Sequence, residues 1–384
     1  MSADWFTADE CRVEDLAEIC AGPTPRDEYP GATAIEQRAV VYDAAALRER
    51  TARLCGHAVM GELAHALGEG PGVIAVRGAF DPGVIDRATE VFVEMIADQH
   101  AAGVDAGDHY AKPGANDRIW NALEKLALRA PDVFVDYYAN DMVALGARAW
   151  LGPGYQIASQ INVVNPGGEA QMPHRDYHLG FFTDDQAEHF APHIHRLSPA
   201  LTLQGGVAHS DMPIESGPTM LLPHSQKYGP GFLAWRRDDV KAYFAQHCIQ
   251  LPLAKGDIVF FNPAVLHAAG TNHTPDVRRM ANLLQISSPF GRAMETIDRD
   301  AMALTIYPVL LARSEAGTND EALQRAIDAA AEGYAFPTNL DRDPPIGGLA
   351  PDAEAVTLRH ALDERWSLDR LESALAAHAE RRRT

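Results

Sequence analysis

From about residue 155 to residue 290, short β-prone runs alternate with segments rich in turn residues. The runs are YQIASQINVV, ALTLQGGVAHS, TMLLP, GDIVFF and MANLLQISS, and the segments between them include NPGGE, ESGP, PHSQKYGPG and NHTPD. Short strands separated by Gly/Pro-rich loops are typical of a β-sandwich or barrel. The pattern therefore predicts a mainly β core.

Helical patterns flank this β-rich stretch. Apolar residues recur at three- and four-residue spacing within residues 1–70, a second helical zone is predicted at roughly 117–149, and the helical pattern returns after about residue 300. We therefore expect one domain over residues 1–384: an N-terminal helical segment (1–70), a β core with supporting helices (71–300) and a C-terminal helical extension (301–384).

Charge and cysteine usage narrow the class of protein. The formal net charge is −20, which argues against binding to nucleic acid or to anionic membranes. The four cysteines (Cys11, Cys20, Cys55 and Cys248) are scattered without a CxxC pair, so a reducing compartment is expected. The acidic N-terminus lacks an apolar signal core, and no run approaches 18 apolar residues. A cytoplasmic protein is predicted.

The segment QMPHRDYHLGF, residues 171–181, holds two histidines and an aspartate within five positions. It could be a metal site, an acid–base pair or a charged turn. If the segment is extended, His174 and Asp176 point to the same face and can reach one centre. His178 shares that parity and could compete as a ligand, but the prediction is that it lines a pocket or is structural.

A metal site needs a third ligand, and GDIVFFNPAVLHAAGTNH supplies one in His267, at the end of a β-prone run. Two histidines and one carboxylate form the facial triad of non-haem iron oxygenases. Arg278 follows eleven residues after His267, where it could pair with a carboxylate of a co-substrate. The other histidines, including His193, His195, His209 and His224, are interpreted as structural or surface residues.

These motifs resemble the phytanoyl-CoA dioxygenase family. The resemblance rests on HRD at 174–176, on GP at 217–218 followed by LLPHS, on KGDIVFFNPAVLH with Arg278 after it, and on GVIAVRGAFDP as the family's opening strand and helix. It covers roughly residues 70–290. It implies a double-stranded β-helix (a jelly-roll, cupin-like fold) and an enzyme dependent on Fe(II), 2-oxoglutarate and O₂, for which ascorbate is expected to be supportive in vitro.

The resemblance also implies roles for single residues. His174, Asp176 and His267 become the iron ligands, and Arg278 becomes the partner of the distal carboxylate of 2-oxoglutarate. Arg278 is preferred to its neighbour Arg279 because it shares parity with the more apolar face of the following run, where Met280, Leu284 and Ile286 lie. We expect that face to point into the barrel.

Two further residues are assigned to the co-substrate. Asn162 and Gln204 are polar residues inside β-prone runs, and the resemblance places co-substrate contacts on these strands. The alternative for each is a structural amide with hydrogen-bond partners in the fold.

The sequence departs from the family at two places. Ala269 stands where the family often has a small hydroxyl residue, and Pro223-His224-Ser225-Gln226 stands where PGSH is common. Neither departure touches a proposed iron ligand, but the hydroxyl missing at residue 269 must come from elsewhere.

The retained Asp176 favours hydroxylation, because related halogenases replace this carboxylate to make room for halide. We therefore predict hydroxylation of a small-molecule substrate whose identity the sequence does not give. The alternative is a cupin-like protein that uses the same triad without redox chemistry, as an isomerase, hydrolase or binding protein. Residues 183–200 and 334–351 are turn-rich and could cover the mouth of the barrel or form plain surface connections.

Overall fold

The structure is a computed structural model and describes residues 5–54, 56–103, 114–169 and 171–384. Cys55 lies outside the described residues.

The strands of the described residues form two sheets. In chain order they are β1 (Ala34–Glu36), β2 (Ala39–Asp43), β3 (Val73–Arg77), β4 (Asn116–Ile119), β5 (Gln156–Val164), β6 (Thr202–Ala208), β7 (Met220–Leu221), β8 (Ile249–Gln250), β9 (Ile258–Phe261), β10 (His267–Ala268) and β11 (Arg279–Ser287). The large sheet has the order β1-β2-β3-β9-β6-β11-β5-β4, and the small sheet has the order β10-β7-β8. Because the order is not sequential, strands distant in the chain become neighbours.

Helices precede, interrupt and follow the strands. They are α1 (Val13–Cys20), α2 (Ala44–Arg53), α3 (Gly56–Gly68), α4 (Pro82–Ala101), α5 (Ala122–Arg129), α6 (Pro131–Tyr138), α7 (Asp141–Leu151), α8 (Asp184–Ala187), α9 (Pro192–Leu197), α10 (Gly231–Ala234), α11 (Asp238–His247), α12 (Arg299–Glu315), α13 (Asp320–Ala330), α14 (Glu354–Asp363) and α15 (Leu368–Arg382). No helix in the described ranges is long and apolar enough to cross a membrane.

Strand β11 shows how the large sheet divides the core. It pairs antiparallel with β5 and with β6 over most of its length. Its residues Met280, Leu284 and Ile286 pack into the core formed with the helices. Ala281 instead packs, from the opposite face, against Leu221 and other residues of the small sheet. Side chains on alternate positions of a strand face opposite sides, so the sheet carries helices on one side and a sandwich interior on the other. The β core with flanking helices is the predicted jelly-roll class.

Three strands lie where helices were predicted. Strands β1 and β2 fall within residues 1–70, and β4 falls at the start of the zone 117–149. β2 has five residues and pairs in parallel with β3. Its short apolar run lies among helical patterns, and these led to the prediction of helix for the whole segment. β4 has the polar sequence Asn-Asp-Arg-Ile, and its strand form depends on pairing with β5, which a local pattern does not reveal.

One buried arginine holds the segment that contains the HRD motif. The side chain of Arg175 is 1% exposed, and its guanidinium donates hydrogen bonds to the carbonyl oxygens of Ser225 and Tyr228. The guanidinium also lies 5.2 Å from the ring centroid of Phe232. A Cβ atom at Gly231 would overlap this guanidinium. Arg175, the middle residue of the HRD motif, therefore fixes the position of this segment.

We expect Gly231→Ala to lower the free energy of unfolding by about 1–3 kcal/mol, because an added methyl group must displace a buried, hydrogen-bonded guanidinium. Urea unfolding measures the change. Gly61→Ala is the control, since a Cβ at that position in α3 meets no atom within 4 Å and should stabilise the helix by up to about 1 kcal/mol. Equal stability of the two variants would contradict this account of Arg175.

Candidate metal centre

A backbone bridge joins the two histidines of the predicted triad. The N–H of His174 donates to the carbonyl oxygen of His267 over 2.9 Å, and the N–H of His267 donates to the carbonyl oxygen of His174 over 3.1 Å. The pair therefore continues the small sheet beyond β10. Because directly opposed residues present their side chains on the same face, the two imidazole centroids lie 4.4 Å apart.

Both imidazoles are oriented by carbonyl groups. Nδ1 of His174 lies 2.8 Å from the carbonyl oxygen of Met172, and Nδ1 of His267 lies 2.9 Å from that of Val265. A carbonyl oxygen only accepts hydrogen bonds, so each Nδ1 carries the proton. The neutral form of each ring then has its lone pair on Nε2, which is the atom free to bind a metal ion.

The carboxylate of Asp176 faces both Nε2 atoms. Oδ1 lies 3.6 Å from Nε2 of His174, and Oδ2 lies 3.4 Å from Nε2 of His267. The side-chain amide of Gln204 donates to Oδ2 over 2.6 Å. Burial alone would raise the pKa of Asp176, but in the metal-free protein His267 and His174, when protonated, and the Gln204 amide hold it well below its ordinary value. The carboxylate is therefore ionised at neutral pH.

These three residues are the group in the described ranges that could hold a metal ion, with ligand atoms all within 4.8 Å of one another. Two imidazole nitrogens and one carboxylate oxygen suit Fe(II), and three protein ligands leave coordination positions open. The ring of Phe261 packs against His267 at 4.8 Å between centroids. The residues present therefore fit a mononuclear iron site.

His178 does not join this group. Tyr177 has a φ of 64° and His178 a φ of 47°, so the extended backbone ends at Asp176 and a short 3₁₀ turn follows at His178–Phe181. The alternation that would have placed His178 on the ligand face is lost. The side chain is partly buried, and burial lowers its pKa.

The interior face of the large sheet carries polar side chains beside the triad. Asn162 and Arg118 are directly paired on β5 and β4, on the same face as Ala281. Arg118 donates to Gln160 over 2.9 Å and to Asn162 over 3.3 Å. The amide of Gln160 donates in turn to Gln285 over 3.4 Å. Of these four polar residues, only Asn162 was predicted from the sequence as a site residue. Nothing in the sequence marked β4 as a strand, and glutamines are common in loops and on surfaces.

Met294 connects this polar set to the ligand segment. Its sulfur lies 3.8 Å from Nε2 of Gln160 and 3.6 Å from the hydroxyl of Tyr177. Tyr177 directly follows Asp176 in the chain. The polar set and the triad are also linked through Gln204, which directly opposes Gln285 and donates to Asp176.

The two candidate arginines lie on opposite sides of the barrel wall. Arg278 is exposed and pairs with Asp117 at 3.0 Å. Arg279 is 6% exposed and donates to the carbonyl oxygens of Ser216 (3.1 Å) and Gly270 (3.4 Å). Burial lowers the pKa of Arg279 to about 10. Within the described residues, no carboxylate lies within 4.0 Å of Arg279.

The expectation that the more apolar parity of β11 faces the barrel interior is wrong. Met280, Leu284 and Ile286 face the helices, whereas Ala281 and Leu283 line the interior. The face that packs against the helices is apolar except for Asn282, which donates to Tyr137 and Tyr138. The interior face carries Arg279 and Gln285, so apolarity marks the wrong side here. Arg279, not Arg278, shares the interior parity.

The two departures from the family pattern have separate outcomes. The small interior cavity, about 30 Å³, is lined by Thr219 together with Leu221 and Ala281, so a hydroxyl group lies in the interior although residue 269 is alanine. His224 bonds Thr24 at 3.0 Å, whereas the hydroxyl of Ser225 accepts the N–H of Leu266 over 2.8 Å. That serine therefore anchors the chain directly before His267.

Comparison with known proteins adds a family. The family model described as phytanoyl-CoA dioxygenase (PhyH) matches residues 31–280. No curated protein matches the chain.

Several solved structures are similar at low identity. The α-ketoglutarate-dependent epimerase SnoN from nogalamycin biosynthesis is 18% identical, with a TM-score of 0.40, over 60% of this chain and 84% of that chain. AviO1 from Streptomyces viridochromogenes Tue57 is 18% identical, with a TM-score of 0.43, over 58% of this chain and 92% of that chain. EvdMO1 is 16% identical, with a TM-score of 0.43, over 60% of this chain and 50% of that chain. The family match covers well over half of the residues, and the chain belongs to the phytanoyl-CoA dioxygenase family.

Proposed function

We propose that the protein is an Fe(II)- and 2-oxoglutarate-dependent dioxygenase that hydroxylates a C–H bond of a small molecule. The observation that carries the proposal is the convergence of two Nε2 lone pairs, on His174 and His267, with the ionised carboxylate of Asp176. Bound Fe(II) with 2-oxoglutarate supplies the oxidising chemistry. One oxygen atom of O₂ enters succinate as CO₂ is lost, and the other enters the substrate.

The residues of the protein position the iron and its ligands. His174, Asp176 and His267 would hold iron, and three protein ligands would leave coordination positions for the keto acid and O₂. Gln204 fixes the Asp176 carboxylate by occupying Oδ2. We infer that it acts on the ligand Asp176 rather than on the co-substrate, to which the sequence pattern had assigned it. Such outer contacts orient metal ligands and tune affinity.

Arg279 is proposed as the anchor for the distal carboxylate of 2-oxoglutarate. It is a buried cation without a carboxylate partner among the described residues, and such a charge favours an anionic ligand. One of its two carbonyl contacts is Gly270, three residues after His267. Thr219 offers the hydroxyl that Ala269 lacks.

Substrate is proposed to bind beside the polar set formed by Arg118, Gln160, Asn162 and Gln285. These side chains are held by one another, so they present fixed donors and acceptors to a small molecule. Asn162 is assigned to this set, where it supports Arg118, in place of a direct contact to the co-substrate.

Purified protein supplied with Fe(II), ascorbate and 2-oxoglutarate should form succinate, at least slowly, without the substrate. His174→Ala and His267→Ala should each abolish succinate formation because two ligands hold iron poorly, whereas His193→Ala, at an exposed position of α9, should retain it. Succinate can be followed by mass spectrometry. Full turnover in both ligand variants would refute the triad assignment.

Arg279→Ala should raise the KM for 2-oxoglutarate by roughly 10- to 100-fold, the range expected when a charge-assisted hydrogen bond is lost. Arg278→Ala should leave KM nearly unchanged, since its side chain is exposed and pairs with Asp117. An anaerobic titration of the Fe(II) protein with 2-oxoglutarate, followed by its weak visible charge-transfer band, measures the same affinity directly. If no band forms and neither variant differs from wild type, the non-redox cupin alternative holds.

Gln204→Leu should weaken Fe(II) binding by roughly 10- to 100-fold, because the variant removes the hydrogen bond that orients Asp176. Asn162→Leu is the matched control, since Asn162 faces the same interior but bonds Arg118. Metal titration under anaerobic conditions compares the two. Equal losses would show that Gln204 has no special role at the carboxylate.

A further inference from the structure

The side chain of Met294 covers two buried hydrogen-bond donors near the triad. Nε2 of Gln160 donates to its sulfur over 3.8 Å, and the hydroxyl of Tyr177 donates to the same sulfur over 3.6 Å. Gln160 is 1% exposed and Tyr177 is 2% exposed. Two donors from different parts of the chain therefore converge on one atom.

The sulfur is a poor partner for these donors. A thioether is a weak acceptor, and buried polar groups are normally paired with better partners. Nε2 of Gln160 also donates to Oε1 of Gln285, at a long 3.4 Å. The hydroxyl of Tyr177 has, within the described residues, the sulfur of Met294 as its hydrogen-bond acceptor. Both donors thus have bonding capacity that the fold leaves largely unused.

The orientation of the Gln160 amide is fixed by an arginine. Arg118 donates to Oε1 of Gln160 over 2.9 Å, and a guanidinium has donors only. Oε1 must therefore face Arg118, which leaves the N–H groups of Nε2 for Met294 and Gln285. The amide is held as a donor toward the site.

Met294 is suited to leaving this position. It is 41% exposed, and it belongs to the segment between β11 and α12, which forms neither helix nor strand. Methionine is unbranched, has three rotatable side-chain bonds and fills irregular gaps. Rotation of the side chain into solvent uncovers both donors.

Both donors are connected to the proposed iron centre. Tyr177 directly follows the ligand Asp176. Gln160 is bonded to Gln285, which lies directly opposite Gln204 on the neighbouring strand. Gln204 in turn donates to Asp176. A group held by both donors therefore lies near the proposed iron centre.

We propose that the substrate of the oxygenase carries a carbonyl oxygen that displaces the sulfur of Met294 and accepts hydrogen bonds from Gln160 and Tyr177. A carbonyl oxygen has two lone pairs and no proton, which matches the two donors directed at this point. It is also a better acceptor than a thioether. The inference rests on the proposed function, because it takes the ligand at this position to be the oxidised substrate.

The test is a titration of the whole protein loaded with Zn(II) and 2-oxoglutarate, a diamagnetic stand-in for the iron complex. Methionine methyl groups labelled with ¹³C are followed by NMR, and Met294→Leu identifies the Met294 signal. The probes are cyclohexanone and methylenecyclohexane, which share a ring and differ in C=O against C=CH₂. We expect cyclohexanone to shift the Met294 signal saturably and to leave distant methionines, such as Met60 in α3, unchanged. Methylenecyclohexane should give no saturable shift.

Two variants test the donors in the same titration. Tyr177→Phe removes the hydroxyl, and Gln160→Glu removes the N–H groups but keeps an oxygen for Arg118. Each should weaken the binding of cyclohexanone by about five- to tenfold, as for one lost hydrogen bond. Tyr243→Phe, in α11, is the matched control and should bind cyclohexanone as wild type does.

The proposal is overturned if cyclohexanone gives no saturable shift, if methylenecyclohexane binds equally well, or if either donor variant retains wild-type affinity. Should Gln160→Glu not fold, Tyr177→Phe decides by the same criterion. The succinate assay reports on the proposed function separately. Succinate formation with a negative titration removes this inference alone, whereas a positive titration without succinate formation keeps the carbonyl site and removes the oxygenase.

Discussion

Two backbone hydrogen bonds between His174 and His267 are the constraint on which the site depends. They bring together segments that are far apart in sequence and oblige both imidazoles to leave the sheet on one face. Asp176 lies two residues further along the same extended segment and reaches the same centre. Carbonyl groups of the residues two positions before each histidine then fix both tautomers. Main-chain geometry thus sets the donor set before any ion binds.

The convergence of His174, Asp176 and His267 could be predicted because it follows from local patterns. An HxD pair in an extended segment shares one face, and His267 follows a β-prone run, although it lies on the short strand β10 and not on β9, which ends at Phe261. The alternation of short strands and turn residues predicted a β-sandwich or barrel, and the family resemblance specified the jelly roll. Strand β4 was not predicted, because its polar residues become a strand only through pairing with β5.

The choice between Arg278 and Arg279 illustrates a limit of parity arguments. One face of β11 is buried and the other is partly buried, so alternation in the sequence identifies two faces but not which one contacts ligand. Apolar side chains lie mainly on the face that packs against helices, and small or polar side chains lie mainly on the face toward the interior. In a sheet covered on both sides, a functional interior is therefore the more polar face. Gln204 is likewise a polar residue on the interior face, directly opposite Gln285.

Arg175 has a consequence for how such sequences can diverge. Its guanidinium occupies the space that a side chain at residue 231 would need. A mutation that shortens residue 175 would open a cavity beside two proposed ligands, and one that enlarges residue 231 would have no room until residue 175 had become smaller. Each single step is sterically unfavourable, whereas the paired change removes the overlap. Residues 175 and 231 should therefore vary together across the lineage, and Arg–Gly at these positions should be inherited as a unit.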